Sequence, residues 1–198
     1  MTDAIADAKR ALRADLRERR RQLTEGARMA AASGVTEQLD ALVIRSGARS
    51  VSCFLSSPSE PGTREFIEAA VRRGIRVLLP ITRADGLLDW AVAVPGGDVV
   101  DGLFGMPEPV ADVLSPLAVN DVDLLIVPAA AVDRTGMRLG WGRGYFDKTL
   151  GSMQRCPPVY AVIYDSELLD EVPRDVHDQP VTGVVTPTRT VHLAPHRR

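Results

Sequence analysis

The sequence predicts an α/β fold, a single three-layer α/β/α domain over residues 1–198 built on a mostly parallel, Rossmann-like sheet. Three observations carry this. Short runs of apolar and β-branched residues at 51–55, 76–81, 122–128, 159–164 and 181–185 read as buried strands. A helical pattern separates the first two, and strand, helix, strand at that spacing is a βαβ unit whose crossover is right-handed and whose strands are parallel. The chain has 198 residues, 45% of them hydrophobic and 25% charged, the composition of an ordinary globular domain with its own core. Disorder, collagen and coiled coil are excluded as descriptions of the whole chain.

Taken in order, Ile5, Ala8, Leu12 and Leu16 recur at steps of three and four, the stripe of an amphipathic helix running to about Gln22. Thr24 caps a second helix that turns Met29, Ala32, Val35, Leu39 and Leu42 inward and stops near Gly47. After the strand at 51–55 the chain breaks at Ser56-Ser57-Pro58-Ser59-Glu60-Pro61-Gly62. Thr63 then caps a third helix with Phe66, Ile67, Ala70 and Val71 inward and Gly74 as its stop. A further strand is expected at 87–94. The Gly- and Pro-rich stretch 96–116 reads as a surface excursion, not a second domain, and has the length of a lid. Residues 122–128 give the strongest buried-strand signal, and a short helix is expected at 145–150. Internal repeats and linkers are absent from the sequence.

Charge and cysteine usage narrow the function. Lys plus Arg number 24 against 26 Asp plus Glu, a net charge of -2, so no global field draws nucleic acid or anionic lipid. The Arg-rich run at 17–21 lacks interleaved aromatics, which argues against a nucleic-acid module. Cys53 and Cys156 stand far apart with no CxxC, so two reduced, half-buried thiols are expected, without a disulfide framework or a zinc site. The N-terminus lacks the apolar segment of a signal peptide, and no stretch approaches a membrane span. A cytoplasmic monomer, binding small molecules and neither nucleic acid nor membrane, is the expectation.

Open parallel sheets bind ligands beyond the carboxyl ends of their strands, which directs attention to the segments after 55, 81, 128 and 164. After Pro128, the run from Gly136 to Gly144 holds four glycines in nine positions with Arg138 and Arg143 between them, and leads into the short helix. Such a backbone can approach an anion closely and turn its N–H groups toward it. Its spacing matches neither the Walker nor the dinucleotide pattern. Asp147, at the helix start, can cap backbone donors or hold magnesium against phosphate oxygens. Asp178 is a second carboxylate candidate, open also to a plain turn role. Lys9 and Arg13, at i and i+4, project from one helix face and can bracket a phosphate, although Arg10, Arg17, Arg19, Arg20 and Arg21 leave a solvated basic face as the alternative. Glu60 follows the first strand, where a carboxylate can receive donors from a heterocycle or stand in solvent.

The run Gly136-Met137-Arg138-Leu139-Gly140-Trp141-Gly142-Arg143-Gly144-Tyr145-Phe146-Asp147 resembles the G-x-R-L-G-x-G-x-G-Y-Y-D signature of the 5-formyltetrahydrofolate cyclo-ligases, also called methenyltetrahydrofolate synthetases. Other parts fall in the same order: Lys9 with Arg13, Glu60 after the first strand, Gly105-Met106-Pro107-Glu108-Pro109 like the family's G-I-x-E-P, Ile126-Val127-Pro128 before the signature, and His177-Asp178 near the end.

The resemblance implies ATP- and magnesium-dependent closure of 5-formyltetrahydrofolate to 5,10-methenyltetrahydrofolate, with ADP and phosphate released. By carry-over, Lys9, Arg13, Arg138, Leu139, Gly140, Trp141, Gly142, Arg143, Gly144, Tyr145 and Phe146 bind ATP. Leu55, Glu60 and Tyr145 bind the folate, Asp147 and Asp178 hold magnesium, and Tyr145, Lys9 and Arg138 act in catalysis. Four positions depart from the usual pattern: Phe146 for a second tyrosine, Ala129 for a glycine, Thr182 for an acidic residue and Lys148 for arginine.

Overall fold

The computed structural model describes residues 2–153, 155–175 and 178–193. Its architecture follows from one segment above all, Leu-Leu-Ile-Val-Pro at Leu124–Pro128, which offers no polar face and must be covered on both sides. In chain order the elements are α1 (Thr2–Arg21), α2 (Glu25–Ser46), β1 (Ser50–Ser52), α3 (Arg64–Arg72), β2 (Arg76–Thr82), β3 (Leu88–Val92), β4 (Val99–Asp101), β5 (Pro107–Pro109), β6 (Leu124–Pro128), β7 (Ala131–Asp133), β8 (Arg138–Leu139), α4 (Tyr145–Ser152), β9 (Val159–Val162), β10 (Leu168–Leu169), β11 (Gly183–Val185) and β12 (Thr190–His192).

Among the described residues the main sheet has seven strands in the order β12-β11-β9-β6-β1-β2-β3. Its five inner strands pair in parallel, and β3 and β12 close the two edges antiparallel. Leu124 and Ile126 point into a core shared with α2 and α3, whereas Leu125 and Val127 point to the other face, where Trp90, Tyr145 and Leu150 pack. Burying each such side chain contributes about 1.5–3 kcal/mol. The expected α/β class and parallel sheet are therefore observed.

Local signals also held in part. Thr24 accepts the Ala27 N–H at 3.2 Å, and Gly47, at φ 65°, returns its N–H to Val43 and Ile44. Several expectations are corrected. Met29 is exposed, because it lies about 160° around α2 from Ala31, where the buried stripe through Val35, Leu39, Leu42 and Val43 begins. Ala8 is likewise exposed, since the inward stripe of α1 passes through Lys9, Leu12, Arg13, Leu16 and Arg20 instead. Thr63 does not cap α3 with its side chain. Its hydroxyl donates to the Phe54 carbonyl at 2.5 Å and accepts from the Ser56 N–H, which folds the turn after β1. Cys53 is fully buried, burial pushing its thiol up to about 12, and Cys156 is exposed, so neither thiol is half-buried.

The 96–116 stretch is no simple excursion. It carries the β4–β5 hairpin, anchored where the buried carboxylate of Glu108 accepts both the N–H of Thr82, at 2.8 Å, and its hydroxyl. β12 and the small three-stranded sheet β10-β7-β8 were not expected from periodicity, their strands being two or three residues long. No helix among the described residues is long and apolar enough to cross a membrane.

Candidate functional site

At the carboxyl ends of β1, β2 and β6 the turn after β1, the β4–β5 hairpin and the glycine-rich loop enclose a cavity of about 520 Å³. One wall brings Leu55 and Glu60; the opposite wall is the loop from Gly140 to Asp147. This is where an open parallel sheet presents its ligand-binding crevice.

The loop is launched by the β7–β8 turn. Asp133, buried, accepts the N–H groups of Thr135 at 2.8 Å and Met137 at 3.1 Å, so the turn is held from within. At Gly136, with φ 88°, a Cβ would stand 2.7 Å from the Val181 carbonyl oxygen, so both dihedral and space require glycine. Gly144 begins α4 at φ 71°, and no side chain caps that helix. Since Gly144, Tyr145, Phe146 and Asp147 all line the cavity, the first-turn N–H groups of α4 lie at its wall.

Asp147 is not a cap. Its Oδ1 accepts Arg138 Nη2 at 2.6 Å, while Arg138 Nη1 donates to the Pro128 carbonyl at 3.1 Å, tying the end of β6 to the start of α4. Arg138 is 4% exposed, and its Nε and the Nε1 of Trp141 find no acceptor among the described residues. Buried donors without acceptors are costly, and both residues line the cavity.

Just outside it, Lys9 pairs with Asp178 at 2.5 Å, and Arg13 donates to the Gly140 carbonyl at 2.7 Å. Burial lowers the Arg13 pKa, as does Arg17, against the opposing charges of Asp178 and Asp147. The structure therefore gathers Lys9, Arg13, Arg138, Gly140, Trp141, Gly142, Arg143, Gly144, Tyr145, Phe146, Asp147 and Asp178 around the loop, with Leu55 and Glu60 across the cavity. Leu139 is the exception: at 1% exposure it packs against Leu16 and Met137, and only its backbone is near the site. Glu60 accepts the Ser57 N–H at 2.9 Å. Tyr145, nearly buried, donates its hydroxyl to the Arg83 carbonyl at 3.0 Å. His177 lies outside the described residues.

Asp147 and Asp178 supply hard oxygen donors of the kind magnesium takes, in the number it usually takes from protein. Among the described residues no group of three or more His, Cys, Asp or Glu gathers into a protein-only cage. The donor set fits a cation whose remaining positions come from phosphate and water.

Among the departures from the family pattern, the buried Ala129 gives its carbonyl to Arg20 at 3.0 Å, and the Thr182 hydroxyl accepts the Val159 N–H at 3.0 Å. The sequence reading missed four residues. Thr82 and Glu108 line the cavity and tie its hairpin wall together. Phe104, at φ 64°, stands at the hairpin tip with the Arg143 guanidinium 3.4 Å from its ring centroid. Arg20 belonged to the solvated alternative, yet it is 1% exposed. Only Glu108 had left a signal, in the G-I-x-E-P resemblance.

Residues 5–187 match the model of the 5-formyltetrahydrofolate cyclo-ligase family. A 5-formyltetrahydrofolate cyclo-ligase of Mycolicibacterium smegmatis is 37% identical over 189 residues, covering 93% of this chain and 96% of that protein. The enzyme of the same name from Escherichia coli K12 is 36% identical over 147 residues, covering 72% and 80% respectively. Among solved structures, the 5,10-methenyltetrahydrofolate synthetase of Aquifex aeolicus superposes with a TM-score of 0.78 at 26% identity, covering 96% of this chain and 95% of that one.

Proposed function

The chain belongs to the 5-formyltetrahydrofolate cyclo-ligase family, and from that premise we propose that it closes 5-formyltetrahydrofolate to 5,10-methenyltetrahydrofolate at the expense of ATP, with magnesium, in one domain over residues 1–198. The observation that carries the reading is the two-sided cavity, with a carboxylate and apolar wall at Glu60 and Leu55 facing a cationic, glycine-rich wall at 140–147.

The chemical obstacle is that a formamide oxygen leaves poorly. Transfer of the ATP γ-phosphoryl to that oxygen, with ADP departing, gives an imidate-like phosphate. N10 then attacks the formyl carbon and loses its proton, forming the second C–N bond as phosphate leaves. Positioning and charge neutralisation are what such a reaction asks of a protein.

Each residue has a matching task. Lys9, Arg13 and Arg138 meet the phosphates from one side, and the backbone of Gly140, Gly142 and Gly144, with the first turn of α4, meets them from the other. Each charge-assisted contact contributes about 1.5–3 kcal/mol. Trp141, Arg143 and Phe146 complete the nucleotide wall, and the Leu139 backbone carries it. Glu60 receives ring donors of the folate, Leu55 packs beside it, and Tyr145, held by Arg83, fixes the aromatic surface next to the formyl group. Asp147 and Asp178 would hold magnesium, whose charge would offset that of the phosphate oxygens. Each carboxylate is paired with a cation, Asp147 with Arg138 and Asp178 with Lys9, so the phosphate-binding charges stand beside the residues that would hold the metal.

The test is absorbance at the methenyltetrahydrofolate band after mixing the protein with 5-formyltetrahydrofolate and magnesium, with and without ATP. Growth of the band only with ATP is expected. No growth, in a folded protein that binds ATP, would remove the folate half of the reading.

A further inference from the structure

The inner stripe of α1 is a zipper to the glycine-rich loop. Lys9, Arg13, Leu16, Arg17 and Arg20 follow at steps of three, four and one, so they share one side of the helix. Arg13 holds Gly140, Leu16 packs on Leu139, and Arg17 and Arg20 both lie over the Trp141 ring, at 5.3 and 4.7 Å from its centroid. Three successive loop residues are thus gripped by one helix.

Arg20 is the unusual member. Its side chain is 1% exposed, and at such burial an unpaired charge is not tolerated. Glu167 answers it with both oxygens, at 2.6 and 2.7 Å, and itself is 3% exposed. The Ala129 carbonyl takes a further bond at 3.0 Å, and the Tyr164 ring lies 5.3 Å away. Glu167 is in turn fixed, accepting the Tyr164 N–H at 2.8 Å. The fork of Arg20 is therefore locked in plane, and a planar cation locked over an indole locks the indole. A buried ion pair of this kind adds little net stability compared with apolar replacements. Its value lies in orientation.

We propose that Arg20 is a positioning residue for the nucleotide: clamped by Glu167, it sets the plane of Trp141 and thereby the path of the loop that meets ATP. This rests on the nucleotide reading above.

The test uses the full chain. Removing Arg20 alone would strand a buried carboxylate and risk unfolding, so the informative variant is Arg20→Met with Glu167→Gln, which leaves no buried charge unpaired. Its KM for ATP is expected to rise about tenfold, with the KM for 5-formyltetrahydrofolate within about twofold of the parent. Trp141 emission, isolated as the difference between each chain and its Trp141→Phe counterpart, is expected to lose its response to ATP. Trp141→Leu, which keeps the Arg20–Glu167 pair and removes the ring it acts through, should show the same ATP-selective rise; Arg19→Ala, on the exposed side of α1, should show none.

An unchanged KM for ATP in either the double variant or Trp141→Leu would overturn the proposal, as would equal rises for both substrates, the mark of general loosening. Should the double variant fail to fold, Arg20→Lys, which keeps a cation beside Glu167 but loses the planar fork, takes its place with the same expectations. If the parent chain itself shows no ATP-dependent turnover, the underlying nucleotide reading falls first, and this inference with it.

Discussion

The two long helices at the N-terminal end of the chain are nearly equal, 20 and 22 residues, and do different work. α2 turns Val35, Leu39, Leu42 and Val43 onto the sheet, each at most 4% exposed, and is stopped at both ends by its own caps. α1 turns lysine and arginine inward and has Leu16 as its only fully buried aliphatic residue. Apart from the small apolar cluster around Leu16 and Leu139, its partners are carboxylates, carbonyls and an indole. A helix that packs by oil supports the fold wherever it lies; a helix that packs by charge supports only the groups it points at. α2 therefore serves stability and α1 serves the site.

The contrast can be broken at several points. The largest effect is expected on the α2 side, where Leu39→Ala should cost about 2–5 kcal/mol in urea unfolding through lost burial and the cavity it leaves, with both KM values unchanged wherever the protein stays folded. Altered KM values in that variant would mean that α2 also shapes the site. On the α1 side, Lys9→Ala should raise the KM for ATP by roughly 10- to 100-fold, the equivalent of about 1.5–3 kcal/mol, while the folate KM moves little. Equal damage to both would remove Lys9 from the phosphate role. Asp147→Asn should shift the magnesium midpoint of turnover upward by about tenfold, and an unchanged titration in a folded protein rejects it as a ligand. The smallest effect belongs to the α2 cap: Thr24→Ala should cost about 1 kcal/mol in unfolding, with turnover untouched.

The fold was largely legible because burial on two faces writes itself as unbroken apolar runs, as at 122–128, and because Thr24 and Gly47 carry their helix ends in their own chemistry. Strands of two or three residues, such as β8 and β12, are too short for periodicity to register. Much of the candidate site was legible through the glycine run, whose positive-φ positions at Gly136 and Gly144 are set by local backbone geometry. Arg20 was not. Its neighbours in sequence are exposed arginines, and what distinguishes it is Glu167, 147 positions later. Glu108 and Thr82 are hidden for the same reason, being defined by each other across 26 positions. Pairings set by tertiary structure leave no local trace.

The zipper on α1 also has a history in time. A ribosome releases α1 early, but its counterparts lie 127 residues away at Gly140, 147 at Glu167 and 169 at Asp178. At typical elongation rates the helix waits on the order of ten seconds for them. During that interval the arginine-rich α1 segment lacks the partners that its inner face meets in the folded chain. The first of these closures, at Gly140, thus comes only after β1, β2, β3 and β6 of the main sheet have been made.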